Sequence, residues 1–390
     1  MKFRLIVIAL ALTLSACNVA VTSLPAQPPL ENTEPPPTPY PDTPAPEAIN
    51  ASPVGSPALI EIHFLNELDG WGVTELQIVR TNDGGITWYN VTPPDATEIA
   101  GVAMFVLDAT HVWMLKPDFN NFPNNGLLYR TIDGGLTWTI SSTPFSGGDL
   151  TFIDVNNGWM LADLGVGAGS NAVAVFQTVD GGTTWMQTYT NDPGSPDAGD
   201  SLPLGGLKAD LVPLNMQTAW VAGVTYAPGV VYLYRTDDGG HNWSLLNLEV
   251  PAGVENSELS IDRDQMQFVS ASAGFLAVRL TGDTTRTAVY TTSDGGTTWT
   301  LTPTLIPGAG SFDFLSAREA IMYNGEQFYV TRDAAQTWTT VSPNLDFGET
   351  FAAMDFVNSN TGWVVTLDGS QHRSLYRTLD GGATWLPVIP

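Results

Sequence analysis

The sequence predicts an all-β fold: a seven-bladed β-propeller with four antiparallel strands in each blade. Three observations carry that expectation. A signature of the form Thr-x-Asp-Gly-Gly-x-Thr-Trp occurs seven times, with its aspartates at 83, 133, 180, 238, 294, 333 and 380, spaced 39 to 58 residues apart. A period of that size marks a repeat architecture. A second aromatic column, Trp71, Trp113, Trp159, Trp220 and Trp363 with Phe275 and Ile321 as equivalents, precedes each signature. Between the columns the apolar pattern divides into four short runs per repeat with period-two alternation, the mark of strands. Small sheets repeated radially close into a propeller.

The chain opens differently. Lys2 and Arg4 precede an apolar run from Leu5 to Leu14. Such a run is too short for the ~20 residues of a membrane span, so residues 1–16 read as a secretory signal. Leu14-Ser15-Ala16-Cys17 has the form of a bacterial lipobox. Cys17, the single cysteine of the chain, is the expected lipidation site. Residues 17–57 are expected to be the lipidated Cys and a Pro-rich disordered tether, because twelve prolines fall between Pro25 and Pro57. A stretch so poor in buriable surface favours extended polyproline II. No Lys or Arg occurs between Arg4 and Arg80, so attachment would rest on the lipid alone. The expected location is extracytoplasmic, lipid-anchored to a bacterial membrane at the cell surface or in the periplasm. Residues 58–390 are assigned to the propeller.

In repeat three the expected strands are 150–154, 158–162, 172–178 and 184–188. Upstream of the Trp column by seven or eight residues stand Phe64, Phe105, Phe152, Phe268, Phe314 and Phe356, with Leu211 or Leu214 in repeat four. Strand three carries Val79, Tyr129, Phe176, Tyr234, Tyr290, Tyr329 and Tyr376. Alternation turns Arg80, Arg130, Arg235 and Arg377 to the other side, where blade packing and charge pairing are the expected roles. The two Trp columns absorb all twelve tryptophans and leave none as an isolated ligand platform. Each blade is contiguous in sequence, so the ring should close by side-chain packing between blades one and seven.

The signature itself has a mechanical reading. An Asp carboxylate accepts backbone N–H groups of a tight turn. Glycine supplies positive φ, and the closing Trp enters strand four. The structural residues assigned on this basis are Asp83, Gly85, Trp88; Asp133, Gly135, Trp138; Asp180, Gly182, Trp185; Asp238, Gly240, Trp243; Asp294, Gly296, Trp299; Asp333, Trp338; and Asp380, Gly382, Trp385. Repeat six has Ala334-Ala335 in place of Gly-Gly, so its turn is expected to be distorted or less stable, not absent.

The signature is that of the Asp-box, or BNR repeat, found in sialidases, sortilin-type receptors, xyloglucanase-type propellers and photosystem II assembly factors. The longer pattern, Phe-x-Asp…Asn-Gly-Trp and then Tyr-Arg-Thr-x-Asp-Gly-Gly-x-Thr-Trp, most resembles the photosystem II assembly/stability factor family over residues 58–390. That resemblance implies a lipid-anchored, non-catalytic platform that binds protein during membrane-protein assembly. The implied partner is a membrane-associated protein; the chain is expected to be a monomer.

Composition narrows the chemistry. Lys+Arg number 14 against 40 Asp+Glu, for a net charge of −26. Nucleic acid is excluded as a partner, since it needs clustered cations. The Phe/Tyr-Arg-Ile-Pro motif that opens a sialidase site is absent, and Arg263, Arg279, Arg286, Arg318 and Arg373 follow no pattern. His63, His111, His241 and His372 lack metal-ligand spacing. No catalytic residue, metal or cofactor is assigned. A carbohydrate-binding or sialidase-like glycoside hydrolase surface protein, with a glycan as ligand, is the alternative. The long loops at 116–125, 164–171, 191–210 and 251–264 lie on the face opposite the Asp signatures, where a partner is expected to dock near blades two to five.

Overall fold

The computed structural model describes residues 49–389 apart from 97, 98 and 100. The expected signal segment, Cys17 and most of the tether lie outside the described residues. Each repeat runs as four antiparallel strands. In repeat three they are Gly148–Phe152, Gly158–Gly167, Ser170–Thr178 and Met186–Thr190. The first and fourth strands sit two residues away from their expected places. The middle hairpin also takes up most of 164–171, which was expected as a loop. Its bulge lies between Asp163 and Gly165.

The sheets do not stand as seven separate units. Among the described residues there are four sheets of four strands, one of five and one of nine. The nine-stranded sheet joins repeats four and five. Its bridge is Glu258–Ser260, which pairs with Gly274–Thr281 and touches Ala219–Val224 through the Val224–Ser260 register. The innermost strand of repeat five is thereby split into Glu258–Ser260 and Met266–Phe268, which pair with the two halves of Gly274–Thr281. The break falls at Asp264, whose φ is +63°. Three residues of the expected loop at 251–264, Glu258–Ser260, pair in a sheet, because the upper half of a long strand offers unpaired backbone groups that demand partners.

The five-stranded sheet corrects the tether boundary. Ser52–Val54 pairs along Trp88–Asn90 on the outer edge of repeat one. Pro53 is tolerated there because an edge strand can leave one side without a donor.

Apolar packing follows the repeats. Seven buried clusters lie between successive repeats, each joining apolar residues of one repeat to those of the next. Trp71, Trp113, Trp159, Trp220 and Trp363 are fully buried in them. The seventh cluster unites Trp363 and Val365 with Leu59, Ile62, Phe64 and Trp88, and so closes the chain on itself. Trp363 stacks on Phe64 at 3.6 Å, and its indole N–H donates to the Gly84 carbonyl at 3.0 Å. Closure is by side chains, with no borrowed strand.

One aromatic stands out of column. Phe64, Phe152, Phe268 and Phe356 lie opposite the glycine before the Trp position. Phe105 lies opposite Trp113 itself, and Val106 occupies its expected place.

Candidate functional site

The innermost strands carry a group of acids that the sequence spacing does not reveal. Glu61 and His63 belong to repeat one, Asp149 to repeat three, Asp210 to repeat four, Asp313 to repeat six and Asp355 to repeat seven. Arg263 and Asp264 sit at the break in repeat five. Period-two alternation puts Glu61 and His63 on one face of their strand, with Ile62 and Phe64 packed on the other. Strand pairing and ring closure then bring the set together around the centre.

Most of these carboxylates bind the neighbouring repeat. Asp149 Oδ2 accepts the Leu211 N–H at 2.7 Å. Asp210 Oδ2 accepts that of Asp264 at 3.2 Å, and Asp313 Oδ2 that of Phe356 at 3.0 Å. Asp355 Oδ2 accepts the Phe64 N–H across the closure. Each bond ties the inner part of one repeat to the next; repeats four and five also share a backbone pairing, Val224 with Ser260. Arg263 pairs with Asp149 at 3.4 Å, and His63 bonds Glu61 at 2.6 Å. The His63 side chain keeps 41% exposure although protein surrounds it, so water reaches the group along the channel.

Crowding like charges shifts their titration. Burial pushes Asp355 up to about 6, with His63 and the Phe64 N–H pulling the other way. Burial and the Asp355 charge raise Asp313 well above the carboxylate range. Burial and Asp149 raise both Asp210 and Asp264. Burial opposes the charge on His63, but the bond and charge of Glu61 prevail and raise it. Among the described residues no group of three or more His, Cys, Asp or Glu is arranged to hold a metal ion.

The seven signature turns share one bond pattern. In repeat two the Thr131 hydroxyl donates to Asp133 Oδ1 at 2.9 Å and accepts the Gly135 N–H at 2.8 Å, while Asp133 Oδ1 accepts the Thr137 N–H at 2.9 Å. The same three bonds recur at Asp83, Asp180, Asp238, Asp294, Asp333 and Asp380. Bonds from the Thr298 hydroxyl and backbone lower Asp294 to about 2. Thr131 is 1% exposed, so replacing it by Val strands the Gly135 N–H. Thr131→Val should cost about 1–3 kcal/mol in urea unfolding. A loss below a few tenths would mean that the hydroxyl does not hold the turn.

The repeating arginines lie against the tryptophans. The guanidinium carbons of Arg80, Arg130, Arg235 and Arg377 lie 5.9, 5.4, 5.4 and 4.9 Å from the rings of Trp71, Trp113, Trp220 and Trp363. Arg130 Nη2 also donates to the Val155 carbonyl of the next repeat at 2.8 Å. This explains the first turn glycine: a Cβ on Gly181 would stand 2.3 Å from Arg130 Nη1.

Repeat six departs from the glycine rule for the same reason. Its predecessor has Phe275 for Trp, and Thr291 opposite Phe275 where four other repeats have Arg. The space left admits two methyl groups, and Ala334 and Ala335 adopt φ +60° and +61° with the turn bonds intact. Relief of positive φ should make Ala334→Gly stabilising by about 1 kcal/mol. Ala335 is fully buried against Phe275. The loss of its methyl, about 0.8 kcal/mol, should make Ala335→Gly nearly neutral. Equal gains in Tm for both would contradict this account.

The opposite face carries the loops. The 116–125 loop exposes Phe119 and borders a cavity of about 510 Å³. A groove of about 410 Å³ between repeats three and four is lined by Pro203, Tyr226, Tyr232 and Tyr234. Lys208 flanks it, with its ammonium donating to the carbonyls of Asn171, Leu204 and Gly206 and lying 5.6 Å from the Tyr232 ring. Burial lowers its pKa to about 8.

No family model matches this sequence, and no curated protein matches it. Solved structures do. A structure of YCF48 bound to D1 peptide matches 87% of this chain and 99% of its own at 16% identity, with a TM-score of 0.52. The chain is an all-β propeller. The GH74 xyloglucanase from Xanthomonas campestris matches 86% of this chain at 15% identity and a TM-score of 0.55, and this chain covers 55% of that enzyme. A PL25 ulvan lyase matches 86% of this propeller and 95% of its own chain at 12% identity and a TM-score of 0.51. At such identities the common property is the fold.

The assigned Asp and Gly residues lie in the turns, and Trp88, Trp243 and Trp385 pack in the buried clusters between repeats; Cys17 lies outside the described residues. Sequence reasoning missed the channel acids. A signal existed in Asp313-Phe314 and Asp355-Phe356, where an Asp directly precedes the aromatic column.

Proposed function

We propose that this chain is a non-catalytic protein-binding scaffold, lipid-anchored at Cys17 to the outer side of a bacterial membrane, and monomeric. One observation carries the reading: Asp149, Asp210, Asp313 and Asp355 spend an oxygen on the backbone of the next repeat. A glycosidase pair must present its carboxyls to the sugar and to water. Here the convergent acids fasten the ring. The turns are read as Asp-boxes and the ring as seven-bladed, with the nine-stranded sheet acting as two blades. The seven inter-repeat clusters support that count. The YCF48 structure, whose bound ligand is a peptide, is consistent with a protein partner.

Mild cross-linking of the membrane-bound chain followed by purification should recover a membrane protein. Palmitate labelling should vanish in Cys17→Ser. Turnover of a polysaccharide, lost in Asp313→Asn, would overturn the scaffold reading. A second reading, glycan binding, has one observation in its favour: the tyrosine-lined groove at Tyr226, Tyr232 and Tyr234. Glycan-array binding that disappears in Tyr226→Ala would support it.

A further inference from the structure

The variable positions of the seven signature turns divide the turn face into two arcs. In repeats seven, one, two and three these positions are Leu379 and Ala383, Asn82 and Ile86, Ile132 and Leu136, and Val179 and Thr183, of which Leu379, Ile86, Ile132, Leu136 and Val179 are 65%, 47%, 61%, 49% and 71% exposed. In repeats four, five and six they are Asp237 and His241, Ser293 and Thr297, and Arg332 and Gln336. All seven turns keep the same hydrogen bonds, so the fold does not require aliphatic residues at any of these places. Repeats seven and one are neighbours through the closure, so the aliphatic positions are consecutive around the ring. Exposed aliphatic side chains concentrated on one part of a surface mark an interaction site.

The arc also has a cavity. A recess of about 530 Å³ lies where repeat seven meets repeat one, lined by Ile86, Leu379, Leu386, Val388 and Ile389, with Arg377 and Asp380 at its polar side. It can take a large apolar side chain as an anchor.

The charge around the arc selects the occupant. Ile132, Val179 and Leu379 each directly precede a signature aspartate, and Asp133, Asp180 and Asp380 are held ionised at neutral pH by turn bonds that outweigh their burial. Arg80, Arg130 and Arg377, the basic residues at the turn end of these repeats' third strands, lie against tryptophan rings. Neither Lys nor Arg occupies a variable turn position on this arc. Aliphatic contacts set among fixed negative charges fit a partner with an apolar stripe bordered by cations.

We propose that the turn face of repeats seven, one, two and three binds a cationic amphipathic segment of a partner protein, with an apolar side chain seated between Ile86 and Leu379. This deepens the scaffold reading and rests on it. It places the partner on the face opposite the long loops.

The test uses the full chain and a fluorescein-labelled 18-residue peptide with Leu on one helical face and Lys on the other. The variant carries Ile86→Thr, Ile132→Ser, Leu136→Thr, Val179→Ser and Leu379→Ser, which copies the chemistry of repeat five. Exposed positions that are already polar in repeats four to six should leave the fold intact, and an unchanged Tm checks this. Wild-type protein should raise the anisotropy, and the variant should bind at least about tenfold more weakly, the equivalent of losing roughly 1.4 kcal/mol of apolar contact. Raising salt should weaken wild-type binding severalfold.

Equal binding by wild type and variant would reduce the effect to charge alone and overturn the inference, because the substitutions leave the net charge unchanged. Self-association of the wild type, lost in the variant and indifferent to peptide, would assign the arc to a second copy and also overturn it. So would variant-sensitive sedimentation with phosphatidylcholine vesicles in the absence of peptide binding. The scaffold reading fails separately, if cross-linking of the membrane-bound wild type recovers no protein. If cross-linking recovers a partner equally from wild type and variant, the scaffold stands and this face does not.

Discussion

Trp363→Ala should lower the unfolding free energy by about 3–5 kcal/mol, the range for deleting a fully buried aromatic. Trp363 is 0% exposed, stacks on Phe64 at 3.6 Å and donates to Gly84 across the junction of the last and first repeats. The internal equivalent Trp159 is also 0% exposed, so Trp159→Ala is the matched control. At internal junctions the chain crosses from one repeat to the next. At the closure the two repeats are joined by packing, the Asp355–Phe64 bond and the Arg377 contact with the Glu67 carbonyl at 3.3 Å. Trp363→Ala should therefore cost at least as much as Trp159→Ala and should loosen the ring locally, with faster amide exchange confined to repeats one and seven. A double-mutant cycle with Phe64→Ala should show a coupling of about 1 kcal/mol. A cost below about 1 kcal/mol for Trp363→Ala would mean that something other than this interface holds the ring shut.

The second large effect is on pH. Burial pushes Asp355 up to about 6 in the folded chain, above the ordinary carboxylate value, and Asp210, Asp264 and Asp313 are also raised. Between the unfolded and folded values the folded state holds more protons, so stability falls as pH rises through that window. His63 is raised and acts in the same direction, its contribution lost as pH climbs through its folded pKa. Glu61 is lowered, despite burial, by the His63 bond and charge, and works oppositely at low pH. The turn aspartates, lowered as far as about 2 at Asp294, lose their contribution only as pH falls below the ordinary carboxylate range. The stability maximum should therefore lie between about pH 4 and 6, not at neutrality. Asp355→Asn keeps an acceptor for the Phe64 N–H and removes the charge. It should stabilise the chain by roughly 1–2 kcal/mol at pH 7.5, allowing for water in the channel, and should have a smaller effect at pH 4.5, near the lower end of the window. Thermal melts of both proteins from pH 3 to 8 decide this. A wild-type Tm that keeps rising to pH 8 would contradict it.

A groove facing solvent and an arc of exposed aliphatics differ in how they are encoded. Ile132, Leu136 and Val179 were readable as variable positions in a repeat, yet their meaning came only when repeats seven and one proved to be neighbours. The Arg column shows the reverse. Alternation put Arg80, Arg130, Arg235 and Arg377 on one side, and the tertiary structure added that each covers a tryptophan and that Arg80, Arg130 and Arg377 crowd the first glycine of the next turn. Ala334 and Ala335 were legible as a breach of the turn pattern, but the compensating Phe275 and Thr291 belong to a different repeat. The strand at Ser52–Val54 was hidden in a Pro-rich stretch, because edge pairing leaves little trace in composition.

Repetition determined the rest. A signature bonded within eight residues, and an apolar pattern with period two, depend on neighbours in the chain, so the sequence by itself specified an all-β propeller and its turn chemistry. The channel acids, the split inner strand that fuses repeats four and five, and the continuity of the aliphatic arc depend on residues from different repeats meeting at a centre or across the closure. Such contacts join positions up to about three hundred residues apart, as in Asp355 with Phe64. No local pattern records them, because their energies exist only once the ring has closed.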